Sequence, residues 1–169
     1  GGGALIGAPI GDTATVLGSG ASIGTITSNG SGLDLFDNLI LSKGATLGDL
    51  EASGDIVIGS PSVSTILLGE NSSIGSITAN SGGRVIFDDF VVVESGASIA
   101  KDASIESKGS GVAFEYNLDL ADGAVIGDVT GSGAISFAAI DGSGTGSLGV
   151  LTSHHSGITQ TGVLILGEG

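Results

Sequence analysis

Apolar residues along the chain fall in short blocks of Leu, Ile, Val and Phe, many in alternating positions, separated by Gly, Ser, Asn and Asp. Residues 72–95 show the pattern clearly: "SSIGSITA", then "RVIFD", then "FVVVES". The same triplet occurs earlier as "ASIGTITS", "LDLFD" and "NLILSK". Alternation with a period of two, bounded by turn residues, predicts short strands. No block carries the i, i+3, i+4, i+7 spacing over the ten or so residues that a helix needs.

The triplets recur. An aliphatic residue, a Gly-containing turn, Ala or Ser, then Ile-Gly-X-Ile appears as "LGSGASIGTI" from Leu17, "LSKGATLGDL" from Leu41 and "LGENSSIGSI" from Leu68. It continues as "VESGASIAKDASI" from Val93, "LADGAVIGDV" from Leu120 and a worn copy, "GTGSLGVL", from Gly144. Gly24, Gly48, Gly75, Ala100, Gly127 and Gly149 mark the equivalent position, so the steps are 24, 27, 25, 27 and 22 residues. Three short strands and three turns, repeated without hairpin dipeptides, describe one coil of a parallel β-solenoid whose coils stack about 4.8 Å apart. The expected fold is therefore all-β: a parallel β-helix of about seven three-stranded coils of roughly 25 residues each, forming one domain over residues 1–169.

Stacked coils align like residues into ladders. Phe36, Phe87, Phe114 and Phe137 lie 12, 12, 14 and 10 residues after their anchors, with Ile58 in that role in the second copy. They are expected to form an internal aromatic ladder. Ala21, Ala45, Ala97 and Ala124 precede the first strand, where the coil turns tightly. The start, "GGGALIG", is in phase with the array and "LILGEG" from Leu164 repeats the close of an earlier coil. The chain thus reads either as a segment of a longer array or as a unit whose open ends meet head to tail.

Composition narrows the partners. Glycine is 33 of 169 residues and Cys, Met and Trp are absent, so the core must be built from Ile, Leu, Val and Ala with a few Phe. A hydrophobic fraction of 40% argues against disorder. Only four basic residues stand against 18 acidic ones, a net charge of -14, which repels phosphate backbones and excludes nucleic acid as a partner. No apolar run approaches the roughly 18 residues of a membrane helix.

Candidate chemistry is sparse. Asp88 and Asp89 follow Phe87 where the first copy has Asp37 and Asn38 and the fourth has Glu115, Tyr116 and Asn117. Acidic and amide residues recurring at one corner point to turn chemistry, since their side chains bond nearby backbone amides. As carboxylates on an outer edge, Asp37, Asp88 and Asp89 are also the candidates for weak calcium binding. Arg84, the sole Arg, begins the strand that ends at Asp88 and is placed to contact it. His154 and His155 are adjacent, so on an extended strand they face opposite ways and do not ligate one ion together. No nucleophile elbow, phosphate loop, dinucleotide fingerprint or calcium-roll nonapeptide occurs. No catalytic or cofactor-binding residues, and no cofactor, are expected, and the chain reads as a non-enzyme.

The "G-A-S-I-G-x-I" and "F-D-x-hydrophobic" repeats, the Gly, Ser, Thr, Asn and Asp turns, the lack of Cys and the acidic balance resemble the passenger regions of autotransporter and filamentous-haemagglutinin-type bacterial surface proteins. More loosely, they resemble β-helical surface-layer proteins. That resemblance implies export to the bacterial cell surface and a structural or adhesive role, through self-association end to end or laterally, or contact with a host or cell-surface glycan or protein. Two alternatives stand beside it: a polysaccharide-binding or polysaccharide-cleaving β-helix of the lyase or phage tail-spike type, and a bactofilin-like polymer.

Overall fold

The computed structural model describes residues 4–6, 15–35, 38–60, 65–142 and 145–165. Their regular structure is β-strand without helix, stacked in parallel into a solenoid of about six turns, close to the seven expected. Strands of equivalent position form four columns, here called A to D. Column A contains Thr15–Leu17, Leu39–Leu41, Thr65–Leu68 and Phe90–Val93. Column B contains Ser22–Ile23, Thr46–Leu47 and Ser73–Ile74, and column C contains Ile26–Ser28, Leu50–Ala52 and Ile77–Ala79. Column D contains Leu33–Leu35, Ile56–Ile58 and Val85–Phe87. In later coils Ser98–Ser107 and Val125–Gly131 run through B and C without a break, and Val112–Leu120 and Ile135–Gly142 run through D and A.

Four columns arise from three sequence blocks because the first block bends at its Gly-X step in the early coils. Glycine permits the bend to stack. A Cβ on Gly48 would stand 2.8 Å from the carbonyl carbon of Gly24, and one on Gly75 would stand 2.9 Å from that of Gly48. The backbone of each coil therefore lies directly on that of the last.

Inside, the inward member of each strand meets its equivalent one coil away. Leu41, Leu50, Ile58, Ile66, Leu68, Ile77, Val85, Val91, Val93, Ile99, Ile105, Leu118 and Ile126 are fully buried. The aromatic ladder forms at Phe87, Phe114 and Phe137: successive ring centroids are 4.3 and 4.9 Å apart and the rings lie within 5° and 12° of parallel. Below Phe87 the row continues through Ile58 to Leu35. The first copy's place in the row is held by Leu35, itself paired with Ile6, where the sequence pattern points to Phe36; Phe36 lies outside the described residues. Counting from the anchor misses by one because coils differ in turn length, whereas the ladder is set by backbone pairing.

The corner between A and B is the most regular. Five copies close a four-residue turn there: Ala21 N to Gly18 O, Ala45 N to Ser42 O, Ser72 N to Gly69 O and Ala97 N to Glu94 O at 2.9 Å, and Ala124 N to Ala121 O at 3.0 Å. The residue before each of these donors is left-handed, with φ of 68° at Gly20, Gly44 and Gly96, 69° at Gly123 and 57° at Asn71. A positive φ at the third residue of such a turn selects Gly, and Asn among the rest. The following row, Ala45, Ser72, Ala97 and Ala124, is buried, while Ala21 in the first coil is exposed.

Outer rows differ by column. On C the register aligns Thr27, Glu51, Thr78, Glu106, Thr130 and Thr152. On B it aligns Ser22, Thr46, Ser73, Ser98, Val125 and Ser147. These two faces carry hydroxyls and carboxylates.

Candidate functional site

The corner at Asp88 and Asp89 is built by the backbone first. Asp88 N donates to Ile58 O at 2.8 Å, which fixes the end of column D, and Phe90 N donates to Asp89 Oδ1 at 2.7 Å, which starts column A. Asp89 is only 2% exposed. In the first coil Asn38 does the related job across coils, its Oδ1 accepting from Thr65 N at 2.7 Å. Asp37 lies outside the described residues. Asp34, on the outer row of column D, has a buried Oδ1 with no hydrogen-bond partner among the described residues. Desolvation, and after it the charge of Asp88, holds its carboxyl above the ordinary carboxylate value. Asp88 is raised in the same way, by desolvation first and then by Asp89. Among the described residues no three Asp, Glu or His groups converge as a metal site.

The acidic side chains have a use that sequence reading did not find. Asp49 Oδ1 accepts from Ser76 N at 2.8 Å and from Ser76 Oγ at 2.9 Å, one coil further on. Asp55 Oδ1 accepts from Arg84 N and Asp128 Oδ1 from Val150 N, both at 2.8 Å. Asp122 Oδ1 accepts from Thr145 N at 2.9 Å and Oγ1 at 2.7 Å, and those bonds hold its carboxyl below the ordinary value. Glu94 Oε2 accepts from Glu70 N at 3.0 Å. Corner amides left over by the strand ladders are thus satisfied by carboxylates of a neighbouring coil, a charge-assisted bond stronger than a neutral one. The available signal was the Asp after the anchor glycine in "LGDL" and "IGDV".

Arg84 does not meet Asp88. Its guanidinium lies 3.7 Å from Glu115 on the next coil, with both side chains about half exposed. Lys43 pairs with Glu70 at 2.7 Å, also in the open. Such surface pairs contribute little. His154 and His155 are exposed at the corner after column C, their ring centroids 6.5 Å apart. His155 Nδ1 is 2.8 Å from Ser132 O, so the protonated nitrogen there donates to the carbonyl.

Two features stand out on the outer surface of the described residues. In "SIAKDASI" the register jumps between Ile99 and Ser104, so residues 100–103 bulge from the corner of columns B and C, with Ala100 and Asp102 at φ 54° and 59°. Beside this bulge lies a shallow groove of about 900 Å³ whose polar walls include Ser76, Thr78, Asp102, Ser104 and Asp128. Its hydroxyls and carboxylates stand beside apolar Val125, Ile126 and Leu148, a mixture that suits a hydroxylated ligand with apolar faces. At the opposite edge Phe90 and the sole Tyr, Tyr116, meet with ring centroids 5.4 Å apart and a 41° tilt. Phe90 is the Phe that the sequence left outside the internal ladder, and it is 41% exposed. Compared with known proteins, the chain matches no family model, no curated protein and no solved structure.

Proposed function

We propose that this chain is a non-enzymatic structural and adhesive module of the bacterial cell surface, acting outside the cell as an elongated β-solenoid of the kind found in autotransporter and filamentous-haemagglutinin-type passengers. One observation carries the reading. Apart from shifts between Ile99 and Ser104 and between Phe114 and Asn117, equivalent residues stay in parallel register from coil to coil, and side-chain ties such as Asp49 to Ser76 and Asp128 to Val150 join the coils at their corners. A quasi-one-dimensional stack of this kind offers length and long lateral faces, which serve contact with surfaces better than enclosure of a substrate. The acidity keeps such rods soluble at high local density.

Imaging of the purified chain by electron microscopy, with and without calcium, tests the assembly part, with rods that extend into fibres or sheets as the expected outcome. Incubation with acidic polysaccharides tests the rest. Depolymerisation of these glycans by monomeric protein would overturn the proposal.

A second reading, glycan binding by the solenoid wall, is favoured by the surface pairing of Phe90 with Tyr116 and by the polar groove beside residues 100–103. Retention of the chain on immobilised glycans, lost in Tyr116→Ala, is its test.

A further inference from the structure

Column A carries an outer row unlike those of B and C. Its register aligns Val16, Ile40, Leu67 and Val92 on four successive coils and then changes to Asp119 and Asp141. All four apolar members point away from the core, in strands whose alternate residues Leu17, Leu41, Leu68 and Val93 are buried. Val16 is 57% exposed, and Ile40, Leu67 and Val92 are half-buried. Phe90 stands next to this stripe, one outward position before Val92. A flat row of Val, Ile and Leu on a solvent-facing sheet is the surface that a second sheet covers at about 10 Å.

We infer that this stripe is a lateral self-association surface, occupied by the same stripe of a second copy running antiparallel. The row reads Val, Ile, Leu, Val, so it is nearly the same size sequence in both directions. A two-fold axis between Ile40 and Leu67 places Val16 opposite Val92 of the second copy and Ile40 opposite its Leu67. Closed two-fold contacts require such self-complementarity. The same axis carries Asp119 and Asp141 beyond the end of the partner's stripe, whereas parallel pairing would set each of them against its own copy. Three rung spacings of about 4.8 Å give a stripe roughly 14 Å long, which with its flank covers on the order of a few hundred Å² per copy. That is below the roughly 800 Å² per partner of a standard interface, so the contact is weak, reversible and dependent on concentration. It strengthens with salt, because each chain carries a net charge of -14 and the stripe attracts through apolar contact.

This deepens the structural reading above and rests on it, supplying the lateral contact of such rods. Sedimentation equilibrium over a wide concentration range tests it, with circular dichroism confirming the fold of each variant. Wild type should form a reversible dimer that tightens with added salt. Leu67→Glu should weaken it by about tenfold or more, and so should Val16→Glu, at a position exposed enough to leave the fold intact. Thr78→Glu, on the polar face of column C, should leave it unchanged. Register is tested with a short bis-maleimide, since the chain has no Cys. Val16→Cys mixed with Val92→Cys should cross-link, and Val16→Cys alone should not. A wild type that stays monomeric at every concentration overturns the proposal, as does a dimer weakened by salt, untouched by both stripe variants or equally lost in Thr78→Glu. A rod that remains monomeric yet cleaves no glycan would fail this inference and leave the structural reading standing.

Discussion

Replacing Ser72 by alanine should make the protein more stable. Ser72 holds the A to B corner in the third coil, in the row that Ala45, Ala97 and Ala124 fill elsewhere, and it is 1% exposed. Its Oγ has no hydrogen-bond partner among the described residues. In the unfolded chain that hydroxyl is hydrated; in the fold it is dry and unpaired, at a cost of about 1–3 kcal/mol. The substitution removes the hydroxyl and leaves the backbone bonds of the corner, Ser72 N to Gly69 O at 2.9 Å and Ser98 N to Ser72 O at 3.0 Å, as they are. Neighbouring alanines show that the row accepts a methyl. Taking about 1–2 kcal/mol of relief, and about 2–4 °C per kcal/mol for a chain of this size, the melting temperature should rise by about 2–8 °C. Urea titration should show the midpoint moving up with an unchanged slope, the signature of altered stability without altered exposed surface. The reciprocal change, Ala97→Ser, should lower the midpoint by a similar amount. An unchanged or lowered midpoint in Ser72→Ala would refute the reasoning, because it would mean that the hydroxyl is satisfied in the folded protein.

Phe114 lies between Phe87 and Phe137, so Phe114→Ala removes both ring contacts and leaves a cavity; a loss of about 3–5 kcal/mol is expected by denaturant titration, with Phe114→Leu losing clearly less. Gly44 has φ 68° and open space where a Cβ would stand, so Gly44→Ala should cost about 1–2 kcal/mol through backbone strain alone and Gly44→Asn less, both read from thermal melts. The folded carboxyl of Asp34 is raised above its ordinary 3.8, so its contribution is fully present below that pH and is lost as pH rises through the raised folded value. Asp34→Asn should therefore stabilise the protein near neutral pH and flatten the acid side of its stability profile. Asp122 works in the opposite sense: its lowered folded value means that its bond to Thr145 stabilises above 3.8 and is lost as pH falls through the folded value, a slope that Asp122→Ala should remove.

The class of fold is legible in the chain alone. Alternating apolar positions, turn residues and a period near 25 are local and repetitive, so they survive without knowledge of what packs where, and they were enough for parallel strands, stacked coils, the Phe87, Phe114 and Phe137 ladder and the corner role of Asp89. Tertiary structure decided everything that depends on register between coils. Leu35 rather than a Phe stands beside Ile58 in the ladder row, because backbone pairing and not distance from an anchor sets the row. Arg84 turns to Glu115 instead of Asp88, and Asp49 reaches Ser76, 27 residues away in the chain and one rung away in space. The apolar stripe of Val16, Ile40, Leu67 and Val92 is likewise scattered over 77 residue numbers in the sequence and contiguous only when the coils stack. In a solenoid the periodic pattern fixes what each coil is, while hydrogen bonding between coils chooses which side chains become neighbours, and the surface chemistry follows from that choice.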